Sequence, residues 1–574
     1  MAEKRIYGLG VSAGIGLGPA FLYRPHLSQQ QPQLTEVQDI AGELARLQAA
    51  KEQCEADLHK LVDYTRETLG EEKSTIIKGQ ISFLLDPGFY PEMIKRVETR
   101  SYPAERAVQE VTEEFARIFE QMPNEYLRER AADIRDVGRR LLTLLQGGQQ
   151  LSLAELDREV IIVADDLTPS DTVQLNRNLV KGIVTRVGGK TSHTAILARS
   201  LGIPAILGVG AEIESINHSD NLLIDGQAGL CIINPEQATL TEYQEKAAAE
   251  QLRLQELQAF AHRPACTVDG KCFEIVANIG TPEEAELALE QGAEGIGLYR
   301  TEFLFMHREQ MPDEEEQFQA YRRVAEIMGE RPVIIRTLDI GGDKELPYLE
   351  LEKEMNPFLG YRAIRIGLNQ PQLLKTQLRA ILRASVYGNI KIMFPMISSL
   401  EEWREARRIY QEAEADLKQE GKEFKAGLEL GIMVEVPSAA VLAARFAKEV
   451  DFFSIGTNDL VQYTIAVDRM NEKVAYLYDY FHPAVLGLIK LVIDAAHREG
   501  KWVGMCGSMA GDPLAAPLLV GLGLDEWSMS AGSIKEIKRI IAGLDARACA
   551  ELAERALQLN TTAEVRELLQ TFHQ

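Results

Sequence analysis

At 574 residues the chain is too long for a single hydrophobic core and implies three or four domains. Its 45% hydrophobic and 26% charged residues place it among globular proteins and away from disordered ones. A formal charge of -24 disfavours nucleic acid and anionic membrane as partners, and leaves room for a basic protein or for a small anion met by locally gathered arginines.

The N-terminal Met1-Ala2-Glu3-Lys4 leads into glycine-rich chain instead of an apolar signal core, and no run reaches the length of a membrane span, so a cytoplasmic protein without membrane insertion is expected. Gly8-Leu9-Gly10-Val11-Ser12-Ala13 formally fits a dinucleotide fingerprint. No full strand precedes it, however, and Pro19 falls where a helix should run. From Leu34 to about Gln146 the pattern is helical. Val37, Ile40, Leu44, Leu47, Cys54, Leu58 and Leu61 recur at spacings of three, four or seven, one stripe of a long amphipathic helix. Further helical stretches at 104–122 and 125–145 complete a small bundle with about six more acidic than basic side chains, and Gly147-Gly148 ends it.

Short β-rich runs return from Val160 to Asn234, predicting a compact α/β domain completed by the N-terminal strand segment, with the bundle as an insertion. A polar helical connector over 239–260 follows. From Val268 onward eight apolar strand candidates alternate with helical segments, at 275–278, 295–299, 333–335, 391–394, 431–434, 452–455, 502–505 and 526–529. That is the count of a closed parallel (β/α)8 barrel, whose active site lies at the C-terminal strand ends. Those ends carry Arg300, Arg336, Glu435, Asn458-Asp459 and Cys506, with Arg469 in the loop after the sixth strand. Arginine forks suit phosphate, two carboxylates suit Mg²⁺ with substrate oxygens, and a thiol at the mouth suits proton transfer. Taken singly, each arginine or acid at a strand end reads as a salt-bridge partner; taken together they specify a small phosphorylated anion. The six cysteines (Cys54, Cys231, Cys266, Cys272, Cys506, Cys549) show no repeated short spacing and read as free thiols.

In Gly188-Gly-Lys-Thr-Ser-His-Thr194, glycines and hydroxyl residues flank a histidine that can accept a phosphoryl group on a ring nitrogen. A nucleotide-binding P-loop is excluded there, because Val184 stands where that motif needs glycine.

Gly-Gly-x-Thr-Ser-His resembles the phosphohistidine signature shared by enzyme I of the bacterial sugar phosphotransferase system and the phosphoenolpyruvate synthases. The stretches 298–305, 339–344, 356–362 and 454–460 resemble the other signatures of enzyme I, in the same order over essentially the whole chain. The resemblance implies a multidomain α/β protein: a swivelling phosphohistidine α/β domain with an inserted helical bundle, followed by a (β/α)8 TIM-type barrel. The segments expected are 1–30 and 149–234 for the phosphohistidine domain, 31–148 for the inserted domain that binds the carrier protein HPr, 235–264 for a linker, and 265–574 for a phosphoenolpyruvate-binding, dimer-forming barrel. It implies His193 as nucleophile; Arg300, Arg336, Asn458, Asp459 and Arg469 as phosphoenolpyruvate contacts; Glu435 and Asp459 as Mg²⁺ ligands; and Cys506 as the proton donor that yields pyruvate. Thr172, Lys344 and Arg362 are implied in support. Lys190 stands where the family more often has Arg, and Ser508 where it often has Glu.

Because nucleophile and substrate belong to different domains, the phosphohistidine domain is expected to swing, with candidate hinges near 147–148 and over 234–264. Two rivals share part of this pattern. A phosphoenolpyruvate synthase or pyruvate phosphate dikinase needs a nucleotide-binding domain before the histidine, where this chain is mostly helical bundle. A catalytically silent HPr-binding regulator would have no need of nucleophile, arginines, acids and thiol together.

Overall fold

The computed structural model describes residues 3–23, 37–69, 71–121, 125–147, 153, 156–168, 171, 175–176, 178–189, 192–306, 308, 310–342, 346, 348–349, 352, 354–471 and 473–572. The chain divides into two compact units, residues 1–251 and 252–574.

In the first unit, β1 (Lys4–Tyr7), β2 (Leu9–Ser12), β3 (Ile15–Tyr23), β4 (Val160–Ala164), β5 (Val180–Thr185), β6 (Ala205–Leu207), β7 (Asn221–Asp225) and β8 (Leu230–Ile233) form one mixed sheet of order β1-β8-β7-β3-β4-β5-β6-β2. Strands β3 and β4 are parallel neighbours, with Ala20 opposite Ile161 and Tyr23 opposite Ala164, although the entire helical segment separates them in sequence. The bundle is therefore an insertion between two adjacent strands. Its helices are α1 (Ile40–Leu69), α2 (Glu71–Leu84), α3 (Phe89–Arg100), α4 (Ala104–Glu120) and α5 (Glu125–Leu145). The stripe along α1 buries Leu47, Cys54, Leu58 and Leu61 against Val108 and Val111 of α4 and Ile134, Val137 and Leu141 of α5.

After the helix Gln237–Gln258, the second unit opens with the antiparallel pair β9 (Ala265–Cys266) and β10 (Cys272–Ile279). This pairing corrects one expectation. Cys266 and Cys272 are not free thiols; they form a disulfide. A tight turn sets them directly opposite one another, a proximity that six positions of separation do not announce. The other four cysteines are free and buried.

Strands β10, β11 (Ile296–Arg300), β12 (Pro332–Arg336), β13 (Asn389–Phe394), β14 (Leu430–Val434), β15 (Phe452–Ile455), β16 (Trp502–Met505) and β17 (Glu526–Met529) run parallel, and β17 pairs back onto β10 to close the barrel. All eight expected strands are present. Alternation along β16, the seventh barrel strand, and the residue after it shows how the wall works: Val503 and Met505 pack outward with the helices, while Trp502 and Cys506 face the interior with Leu298, Ile334, Met393, Met433 and Phe452. Trp502 stacks on Phe452, centroids 4.5 Å apart, and fills the lower end. No helix among the described residues is long and apolar enough to cross a membrane.

Candidate active site

The parallel barrel brings the last residues of its strands to one mouth. Arg300 and Arg336 end β11 and β12 and sit opposite one another in register. Arg336 is 6% exposed yet charged, because Glu302 Oε1 lies 2.6 Å from its Nη2 and Asp339 Oδ2 lies 3.0 Å from its Nη1. The same Asp339 accepts a hydrogen bond from Arg362 Nη2 at 2.9 Å. Arg362 also donates to the Tyr463 hydroxyl at 3.0 Å and lies 3.5 Å from Asp459 Oδ2. Burial disfavours both guanidinium charges, but these carboxylates more than compensate and push both pKa values up. Arg300, half-buried, pairs with no carboxylate among the described residues. Its charge remains available to an incoming anion.

Glu435 follows β14, is 1% exposed, and accepts the Met396 N–H at 2.6 Å. Met396 reaches this position with φ at 57°, a left-handed conformation costly for a side chain of its kind and retained beside the site. Burial, then the charges of Asp459 and Asp339, push the Glu435 carboxyl up to about 8. A cation held between Glu435 and Asp459 would offset the charge that raises the Glu435 carboxyl. Asp459 Oδ1 is buried and has no hydrogen-bond partner among the described residues; the same is true of the Nε atoms of Arg336 and Arg362. The residues fit a divalent ion shared with an anionic ligand. Among the described residues there is no cluster of three ligating side chains, so the remaining ligands of such an ion would come from substrate and water.

Cys506 sits at the top of the barrel interior, 4% exposed, its carbonyl accepting from Asn278 Nδ2 at 3.1 Å. Burial pushes its thiol up to about 11, while the Ser454 hydroxyl and the Arg336 and Arg300 charges pull it down. It is a protonated thiol near neutral pH, placed where two arginines would stabilise the thiolate left after proton transfer. The neighbouring Gly507 admits no side chain: a Cβ there would come within 1.8 Å of Thr457 Oγ1.

Asn458 Oδ1 accepts from both the backbone N–H and the hydroxyl of Ser508, at 3.1 and 2.7 Å, so Ser508 orients the asparagine amide. The Asn458 carbonyl accepts from the Tyr478 hydroxyl at 3.2 Å, and the Arg469 charge lies near enough to that hydroxyl to lower a pKa that burial raises. The Arg469 backbone N–H donates to Gln462 Oε1 at 3.2 Å, which ties its loop to the helix that carries Asn458 and Asp459.

At the other candidate, Ser192 caps the helix His193–Leu201 by accepting the Ala195 N–H at 3.2 Å, which makes His193 the first helical residue. Gly188 precedes it with φ at 128°. The Thr194 hydroxyl donates to the Leu167 carbonyl at 3.4 Å, joining the helix start to Leu167, and the Tyr23 hydroxyl donates to Asp171 Oδ1 at 2.7 Å. The His193 imidazole, Thr172, Lys190 and Lys344 lie outside the described side chains.

Sequence reasoning overlooked Glu302, Asp339, Tyr463 and Ser454. Glu302 and Asp339 lie inside motifs quoted above, two and three positions after Arg300 and Arg336, and that spacing was the available signal. Tyr463 and Ser454 had none.

Three family models match in order: PEP-utilising enzyme, N-terminal, over residues 7–130; the mobile domain over 156–229; and the PEP-binding domain over 254–546. A phosphoenolpyruvate-protein phosphotransferase of Geobacillus stearothermophilus is 50% identical over 98% of this chain and 97% of its own. The one from Listeria monocytogenes is 50% identical over 99% of both. The chain belongs to the phosphoenolpyruvate-protein phosphotransferase family. A solved solution structure of an Enzyme I protein is 35% identical, covering 43% of this chain and 99% of that one with a TM-score of 0.40. Phosphoenolpyruvate-protein phosphotransferases belong to the metal-dependent PEP-utilising enzymes, in keeping with the paired carboxylates of the mouth.

Proposed function

We infer that this transferase moves the phosphoryl group of phosphoenolpyruvate to His193 and on to a histidine of the carrier HPr, releasing pyruvate, the first step of phosphotransferase-system sugar uptake. The observation that carries the reading is the mouth itself. Arg300 without a carboxylate partner among the described residues, Arg336 and Arg362 held by Asp339, the Glu435–Asp459 pair and the protonated Cys506 thiol converge on one end of the barrel.

Arg300 and Arg336 bind the substrate's anionic groups, helped by Arg469 and the Asn458 amide, with Lys344 and Arg362 in support, and Thr172 orients the His193 imidazole. Glu435 and Asp459 would hold Mg²⁺, which when bound neutralises charge on the phosphoryl oxygens. A neutral His193 nitrogen attacks phosphorus; the N–P bond forms as the bond from phosphorus to the enol oxygen breaks, and the electron pair passes to the enolate. Cys506 then donates its proton to the enolate carbon, giving pyruvate and a thiolate that the arginines stabilise and water reprotonates. In-line attack needs nitrogen about 3 Å from phosphorus, so the domain bearing His193 must swing to the mouth. The acidic excess of the inserted bundle favours HPr docking there through a basic surface. The enzyme is further proposed to act in the cytoplasm as a homodimer formed through the barrel.

The test is incubation with labelled phosphoenolpyruvate and Mg²⁺, with and without HPr. Acid-labile label on the parent chain and none on His193→Ala is expected; label reaching HPr through that variant would refute the nucleophile.

A further inference from the structure

We propose that Gln377, a residue too deep to touch substrate, is the positioning residue that sets the arginine-bearing loops of the mouth; this rests on the phosphoenolpyruvate reading above. Gln377 lies in the helix Pro371–Ala384 and is wholly buried. An amide in such a place is costly unless its donors and acceptor are used, and a methionine or leucine would pack there without that demand. Here each is used. Gln377 Oε1 accepts the Leu338 N–H at 2.8 Å, and Nε2 donates to Thr301 Oγ1 and to the Tyr321 hydroxyl, both at 3.1 Å.

The directions of these bonds are fixed from outside. Thr301 has one hydroxyl hydrogen and gives it to the Arg336 carbonyl at 2.8 Å; Tyr321 gives its own to Gln317 Oε1 at 3.2 Å. Both hydroxyls can only accept from Gln377, which forces the amide nitrogen toward them and its oxygen toward Leu338. The recipients matter. Thr301 follows Arg300 directly and holds the backbone of Arg336. Leu338 precedes Asp339, the carboxylate that grips both Arg336 and Arg362. One amide thus ties together the bases of Arg300 and Arg336 and, through Asp339, bears on the guanidinium of Arg362, while its third bond, to Tyr321, runs away from the mouth to a neighbouring helix.

This asymmetry supplies the test. Purified full-length variants are assayed for phosphoryl transfer from phosphoenolpyruvate to HPr, and separately for the second half-reaction, from the phosphorylated chain to HPr, which does not use the mouth. Gln377→Met should lower kcat/KM for phosphoenolpyruvate about 10²-fold, the loss typical of roughly 1 Å misplacement of a binding group. The second half-reaction should stay at the parent rate. Gln377→Glu, which keeps the Leu338 bond but turns two acceptors against a third, should be similarly impaired. Tyr321→Phe should lower the melting temperature yet keep kcat/KM within about twofold of the parent, since it removes only the outward bond. Parent-like kcat/KM in Gln377→Met, or an equal loss in Tyr321→Phe, would reduce the amide to packing and overturn the proposal. If Gln377→Met fails to fold, Thr301→Val decides: a loss of about tenfold supports the tether, and a parental value overturns it. A parent chain that takes no label from phosphoenolpyruvate would overturn the underlying reading together with this one.

Discussion

Glu435 and Glu526 lie inside the same barrel, one past the C-terminal end of β14 and the other at the N-terminal start of β17, and burial pushes both carboxyls up to about 8. Their surroundings differ. At the mouth, Asp459 and Asp339 push Glu435 further while Arg362 and Arg336 pull it back, and the Met396 N–H is already bonded to it. At the floor, Glu274 and Asp525 push Glu526 and Lys391 alone pulls, and Lys391 is itself committed to Glu429 at 2.8 Å and lies over Trp502. Glu526 Oε1 has no partner among the described residues and occupies the space that a side chain at Gly504 would need, 2.7 Å from where a Cβ would stand. Similar upward shifts therefore carry opposite meanings. The mouth carboxyl belongs to a poised set of charges that a bound cation and anion would rebalance. The floor carboxyl is held protonated because burial, Glu274 and Asp525 outweigh the one cation, Lys391, that pulls it back.

The largest effect that would break this contrast is expected at the mouth. Glu435→Ala and Asp459→Ala should each slow phosphoryl transfer from phosphoenolpyruvate by about 10²–10³-fold and remove its Mg²⁺ dependence. Parent rates at low Mg²⁺ in either variant would remove the functional meaning of the Glu435 shift. Next, Cys506→Ala should reduce turnover about 10²-fold while phosphoenolpyruvate binding persists, because the arginine contacts remain. In deuterated water with a 3-substituted substrate analogue, proton addition should also lose stereoselectivity; unchanged turnover and stereochemistry would make the thiol a packing group.

The smallest effect concerns the floor. The folded pKa of Glu526 lies above its ordinary value of 4.5, so the folded state holds the proton more tightly than the unfolded one. Its contribution to stability is full below pH 4.5, falls as pH rises toward about 8, and levels off beyond. Glu526→Gln keeps the neutral shape, so it should flatten this slope and raise the melting temperature at pH 8 by about 2–4 °C per kcal/mol recovered. Phosphoryl transfer should not change. A transfer defect in this variant would show that the two ends of the barrel are coupled.

Much of this was legible beforehand, for identifiable reasons. A buried parallel strand reads as a short apolar run, and eight such runs between helical stretches leave few architectures open. Once the barrel is accepted, the residue after each run lies at the mouth, which is how Arg300, Arg336, Glu435, Asn458, Asp459 and Cys506 could be named together. The stripe along α1 was equally plain, because 3.6-residue periodicity survives without knowledge of its partner. The Cys266–Cys272 bridge was not legible. Six residues of separation say nothing until an antiparallel turn sets the two opposite each other.

The amino-acid sequence by itself determined the kinds of element, their order, and the residues that would crowd the strand ends, since these follow from local periodicity and the shared polarity of parallel strands. Tertiary structure alone decided which charges pair and which stand open. Asp339 reaches two arginines, Glu302 secures one of them, and Arg300 meets no carboxylate among the described residues. Gln377 enters from a helix 41 positions after Arg336 to fasten the loops beneath them. Such pairings depend on strand register and loop path over tens of residues, whereas local periodicity reaches only a few positions along the chain.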